Sequence, residues 1–150
     1  MSNIIKQYSK LDKDVLRVNR FVSVGRLSQE MVDFLVDKDG TLAAWLRAGE
    51  EIVFWKDRIQ HVELHRDDFF SDSLFEQCLE DIPSIIKSPD YIGMRRDKGS
   101  LSFFRILSQT VVVVVRITSS GKLSFRTMYT LTSAQLDDYV RRGNAWKYEV

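Results

Sequence analysis

The sequence predicts an α+β domain, and three observations carry that reading. Segments with helical spacing fill most of the region before Pro89, four strand-like runs follow it, and a capped helix comes last. The length of 150 residues fits one domain with a real core. No repeat, linker or low-complexity segment divides it, so residues 1–150 read as a single domain.

Taken in order, apolar residues at Ile4, Ile5, Tyr8, Leu11, Val15 and Val18 predict an N-terminal helix over roughly 3–19. "RFVSV" is a short strand ending at Gly25. Ser28 is the N-cap of an amphipathic helix through Met31, Phe34 and Leu35, which Asp39-Gly40 stops. "EIVFW" is a second short strand, followed by a helix over about 56–66. Leu74, Cys78, Leu79, Ile82 and Ile86 share one helical side over about 73–87, where Pro83 predicts a kink or two shorter helices. Ser88-Pro89-Asp90 breaks that pattern. "YIGMRR", "LSFFRIL", "TVVVVVRI" and "KLSFRTMYT" then read as an antiparallel meander, with 111–115 apolar on both faces as in a central strand. In the last run, strict alternation puts Leu123, Phe125, Thr127 and Tyr129 on one buried face, where the two hydroxyls need partners. Thr132 with Gln135 matches a capping box, and the helix it opens stops at Gly143.

Composition excludes several classes. Lys and Arg number 22 against 21 Asp and Glu, so an anionic partner must meet a local patch rather than a basic protein. Basic residues do concentrate late, among them Arg95, Lys98, Arg105, Arg116, Arg126 and the Arg141-Arg142 pair. If several share a sheet face they form a phosphate-binding surface. The one cysteine, Cys78, excludes an internal disulfide and fits a reducing compartment. The first residues carry no apolar leader, and the longest apolar run is far too short to span a membrane. The expected location is therefore cytoplasmic, without a membrane partner. Glycine spacings match neither phosphate-binding nor dinucleotide loops, and no serine sits in a G-x-S-x-G setting.

"RIQHVELHR" holds the only two histidines, His61 and His65. On a helix, Trp55, Ile59, Val62 and Phe69 make a stripe for the core, and the imidazoles fall together on an adjoining face. Arg58 lies between the two faces. Three readings stand open. Both may be read as polar side chains flanking a helix. As a metal pair they lack company: the pattern is not H-E-x-x-H, and no third histidine or Cys–His cluster exists, so neither metal nor cofactor is expected. As an acid–base pair they suit proton transfer near neutrality. Metal-free RNA cleavage needs a base for the 2′-OH, an acid for the leaving 5′-oxygen and a cation for the phosphorane. Two histidines and an arginine suffice, with Asp57 or Asp68 to orient an imidazole.

In order, "VSVGRLSQEMVDFL", "EIVFWKDRIQHVELHRDDF", "LFEQCLEDIPSIIKSPDYIG" and the strands ending in "SFRTMYT" resemble the phage-borne branch of the barnase/EndoU/colicin/RelE-like nucleases. The resemblance spans roughly residues 20–143, after the N-terminal helix. It implies a helical N-terminal half packed on a small curved antiparallel sheet of about four to five strands, with a C-terminal helix. It also implies a metal-independent RNA endonuclease of the toxin or phage-effector kind, with tRNA among the candidate substrates. An inhibitor or a phage protein is the implied protein partner, and nothing signals DNA. Matched by position, His61 and His65 are the paired helix histidines, and Arg126 and Thr127 belong to the late catalytic strand. Tyr129 on that strand, Arg105 on an earlier one and Arg58 beside the histidines are the substrate-binding candidates. A non-catalytic phage interaction module on the same fold is the alternative, and a metal-dependent hydrolase is a third reading. Convergence of His61, His65, Arg126 and Thr127 on one cleft is what separates the nuclease from the module.

Overall fold

Short polar side chains set most of the helix starts in the computed structural model, which describes residues 10–118 and 120–149. Helix α1 (Lys13–Val18) opens after Asp12, whose carboxylate accepts from the Asp14 amide. Asp12 is extended, so among the described residues the predicted N-terminal helix begins only at Lys13, and its part over 3–9 lies outside the described residues. Strand β1 (Phe21–Arg26) and helix α2 (Gln29–Lys38) follow, with Ser28 Oγ accepting from the Met31 amide at 3.1 Å. A 3₁₀ turn (Gly40–Ala44) leads to β2 (Glu51–Trp55), then to α3 (Arg58–Glu63) and a second 3₁₀ turn (Arg66–Asp68).

Ser71 caps α4 (Asp72–Glu80), and α5 (Ile82–Lys87) follows at once. Pro83 cannot donate to the carbonyl one turn back, and its ring crowds that carbonyl, so two helices replace one. The meander is β3 (Tyr91–Arg95), β4 (Ser100–Ile106), β5 (Thr110–Ile117) and β6 (Leu123–Leu131). Thr132 opens α6 (Ser133–Arg141) with both bonds of the capping box, at 3.1 and 2.9 Å. A three-residue strand, β7 (Ala145–Lys147), comes after it.

These strands form one sheet in the order β1-β2-β6-β5-β4-β3-β7, antiparallel except for the parallel pair β2–β6. The sheet thus has seven strands and is mixed, where about four to five antiparallel ones were expected. The N-terminal half is not simply helical, because its two short strands join the sheet. β7 is too short to leave a periodic trace in sequence.

β5 is the central strand, as its two apolar faces predict. Val111, Val113 and Val115 face the principal core, whereas Val112 and Val114 face a smaller layer with Phe104, Leu136 and Ala145. In the principal core Phe54 of β2 stacks on Phe125 of β6, ring centroids 4.3 Å apart. Burying each such ring contributes roughly 2–3 kcal/mol.

β6 carries one extra residue. Val115 pairs with Phe125 but Val114 pairs with Thr127, leaving Arg126 as a β-bulge. Phe125 and Met128 therefore enter the principal core, while Thr127 and Tyr129 stand opposite Val114 and Val112 on the other face. This corrects the single buried face read from alternation. β2 accompanies β6 only through Ile52–Leu123 and Val53–Ser124. Beyond that point α3 packs against β6 instead.

The turn into β7 passes close over β3. A Cβ added at Gly93 would lie 2.2 Å from the Asn144 carbonyl oxygen, a backbone atom that cannot swing aside. Gly93→Ala should lower the unfolding free energy by about 2 kcal/mol. Urea denaturation measures this directly, and an unchanged midpoint would refute the close approach.

Candidate active site

Helix α3 has six residues and no side-chain cap, too little to stand alone. Tertiary attachments hold it. Val62 is fully buried in the core. The Arg58 guanidinium donates to the Arg126 carbonyl oxygen, with Nε at 3.0 Å. Arg66 grips Glu63 through Nε at 2.8 Å and Nη2 at 3.1 Å, reaches Glu76 on α4, and lies over the Phe75 ring. Lys13 of α1 completes the network at 3.1 Å from Glu63 and 3.2 Å from Glu76.

The helix ends earlier than its sequence predicts. The amides of Leu64 and His65 bond carbonyls three residues back, at 3.2 and 3.0 Å, so the backbone tightens after Glu63. Only His61 is helical; His65 stands at the head of the 3₁₀ turn. The His65 Nδ1 lies 3.2 Å from the Asp68 carboxylate, so Asp68 rather than Asp57 is its orienting partner. In the expected apolar stripe Val62 and Phe69 are buried and Ile59 is half-buried, but Trp55 is 42% exposed.

The two imidazoles lie 6.3 Å apart between ring centroids, and His65 also meets the Tyr129 ring at 5.9 Å. Tyr129, Arg126 and Thr127 line a hollow of about 220 Å³ on the second face of the sheet. Its other walls are Arg95 and Lys98 around the β3–β4 turn, Ser100 and Ser102 on β4, and Tyr139 on α6. Ser102 lies in the cross-strand row Gly93–Ser102–Val114–Thr127, where small side chains leave the space. Three cations and no carboxylate line it. Thr127 Oγ1 is buried there without a hydrogen-bond partner among the described residues. A buried hydroxyl without a partner is uncommon, and this one lies beside a cationic hollow.

The surroundings separate the titrating groups. His61 is solvent-exposed, yet the water it loses to its neighbours, and after that the charges of Arg58, His65 and Arg126, hold its imidazole below the ordinary histidine value. Burial, and then the neighbouring Tyr139, push the Tyr129 hydroxyl well above the ordinary phenol range, so it stays protonated at neutral pH.

The structure thus sets His65 beside the Tyr129 ring and His61 near Arg58 and Arg126, at the β6 edge, while Arg126, Thr127 and Tyr129 line the hollow and the imidazoles do not. Arg105 is elsewhere. Its guanidinium bonds Ser84 Oγ at 3.1 Å and the carbonyls of Ser84 and Ser88 at 2.9 and 3.0 Å, which fixes the end of α5. Arg142 pairs with Asp138 at 3.0 Å, and Arg141 shares that carboxylate. Arg95, Lys98, Ser100, Ser102 and Tyr139 were not singled out by sequence as site residues. The late concentration of basic residues was their signal, but only the fold sorts which of them meet.

Among the described residues no group of three or more His, Cys, Asp or Glu is placed to hold a metal ion. Burial pushes the Cys78 thiol up to about 11, out of reach of nucleophilic chemistry. No helix among the described residues is long and apolar enough to cross a membrane.

A mixed sheet that sets two imidazoles beside a carboxylate-free, cationic hollow defines a nuclease-like α+β domain. Residues 35–138 match the model of the family described as phage-Barnase-EndoU-ColicinE5/D-RelE like nuclease 3, and the chain belongs to that family. Membership implies a nucleic-acid substrate. Comparison with curated proteins and with solved structures gives no match.

The Arg66 network has a pH signature. Hydrogen bonds from Arg66 are the first cause holding the Glu63 and Glu76 carboxyls below their ordinary value of 4.5. Lowered carboxyls stabilise the fold above that value, and the contribution disappears as pH falls through their lowered values. Because these side chains are partly exposed, Arg66→Met should cost about 1–2 kcal/mol at pH 7. It should also flatten the loss of stability below pH 4.5, as urea titrations across pH will measure.

Proposed function

We propose that the protein is a metal-independent RNA endonuclease of the toxin or phage-effector kind. What supports this reading is the nearness of His65 to the Tyr129 ring and of His61 to Arg126, on the strand whose Arg126, Thr127 and Tyr129 line a cationic hollow.

The steps follow from the charges. His61, biased toward its neutral form, takes the proton of the ribose 2′-OH. The 2′-oxygen bonds to phosphorus as the bond from phosphorus to the 5′-oxygen breaks. With His65 Nδ1 committed to Asp68, Nε2 is the atom that delivers a proton to the departing 5′-oxygen. The products are a 2′,3′-cyclic phosphate and a free 5′-hydroxyl. Arg126 neutralises the charge that builds on the non-bridging oxygens, and Thr127 Oγ1 donates the hydrogen bond it otherwise lacks. Tyr129, kept as a phenol, supports the His65 ring and offers a second donor. Arg58 is a positioning residue, because its guanidinium is spent on the Arg126 backbone.

An oligoribonucleotide should be cut in EDTA to cyclic-phosphate ends, and its 2′-deoxy counterpart should survive. His61→Ala and His65→Ala should each lower kcat/KM by about 100-fold or more. In the parent, kcat/KM should rise with pH through the lowered His61 value, so its acidic inflection falls below an ordinary histidine's 6.5. Equal cutting of the deoxy substrate, or full activity in the double His→Ala variant, would sink the mechanism.

Thr127→Val gives an independent check. The hydroxyl has no partner to lose, so stability should hold or rise by up to about 1 kcal/mol while kcat/KM falls about tenfold. A stability loss with unchanged kcat/KM would make Thr127 structural instead.

A further inference from the structure

We infer that Arg95 and Lys98 form a second phosphate subsite, which holds the phosphodiester next to the one being cut; this rests on the ribonuclease reading above. The hollow has walls that the proposed chemistry does not use. His61, His65 and Arg126 gather at the β6 side, against α3. The opposite wall is the β3–β4 turn, with Arg95 and Lys98. Thr127 on β6 and Ser102 on β4 face the same space from strands separated by β5. Two strand spacings amount to about 10 Å, more than a single phosphate's oxygens can bridge. A phosphate held at Thr127 therefore does not also reach the hydroxyls of β4, and Arg95 and Lys98 on that far side are placed for a second one.

Those far cations are not consumed by structure. Lys98 makes no ion pair among the described residues, and Arg95 meets only Asp97, at 3.1 Å on the exposed turn. Asp97 does not line the hollow, and the Ser100 and Ser102 side chains add hydroxyl donors to its wall. A base docked alone would set uncharged edges against three cations. A substrate with consecutive phosphates matches both walls at once, so the subsite selects polynucleotides over isolated dinucleotides.

The test has a binding arm and a cleavage arm. Calorimetric titration of the parent should show adenosine 3′,5′-bisphosphate binding at least about tenfold tighter than either the 3′- or the 5′-monophosphate. Lys98→Ala, on an exposed turn, and Arg95→Gln should each erase most of that preference. Lys122→Ala, on a neighbouring turn and paired with Glu50, should leave it intact. In cleavage, adding a 5′- or 3′-terminal phosphate to a dinucleotide with one internal phosphodiester should lower KM about tenfold in the parent. In Lys98→Ala that gain should vanish.

Equal binding of bisphosphate and monophosphates, or a terminal-phosphate gain that survives both variants, overturns the subsite. Cleavage of both dinucleotides at equal efficiency leaves the ribonuclease reading standing and removes the subsite. A bisphosphate preference that depends on Lys98, in a protein that cuts no RNA, keeps the two-phosphate site and removes the catalytic reading.

Discussion

The carbonyl oxygen of Arg126 is where the sheet, the histidine helix and the hollow are tied together. The extra residue at this point interrupts the β5–β6 ladder, and β2 has already left the edge of β6 two residues earlier. A backbone acceptor left bare at a sheet edge costs stability unless a donor reaches it. Arg58 supplies that donor from α3. The same bond sets the distance between the helix and the strand, and so the spacing of His61 and His65 from Tyr129. The Arg126 side chain itself lines the hollow.

The protein makes a cationic site without being a cationic protein. Its carboxylates are placed against particular partners: Glu63 and Glu76 around Arg66 and Lys13, Asp138 beside Arg142, Asp39 beside Arg96, Glu50 beside Lys122. All of these lie outside the hollow. Arg126 and Lys98 have no such counter-charge among the described residues, and the walls between them are hydroxyls and phenols. Local pairing elsewhere thus converts a near-zero net charge into a concentrated field at one place. The depressed His61 value reflects first the water lost to its neighbours and only then the charges of Arg58, His65 and Arg126.

Elements with strong local chemistry were legible in the chain. The caps at Ser28 and Thr132 came from residue type and spacing, and the central strand came from five consecutive valines. The pair of helices around Pro83 followed from a missing amide. What could not be read was set by contacts from far away. Nothing in "SFRTMYT" marks a bulge, because no glycine is needed there; yet the bulge decides which face Thr127 and Tyr129 take. The early end of α3 lies where the Leu64 and His65 amides turn to carbonyls three residues back, just before Arg66 reaches across to α4. The joining of β1 and β2 to the meander depends on Phe54 finding Phe125. Of the site itself, the histidines, Arg126, Thr127 and Tyr129 were visible as residue types, while Arg95, Lys98 and Tyr139 became neighbours only through folding.

The brief parallel junction between β2 and β6 bears on how the molecule assembles. β3 through β6 close on one another across short turns, which is entropically easy and fast. Joining Ile52 to Leu123 instead requires the whole intervening chain to be in place, and it rests on two ladder pairs, the Phe54–Phe125 stack and the bond from Arg58 to the Arg126 carbonyl. Such a seam is the natural boundary between two cooperative units with different opening free energies. The cations of the hollow all belong to the first unit, and both imidazoles belong to the second. A transient opening at the seam would separate the two sets of groups while leaving the meander whole.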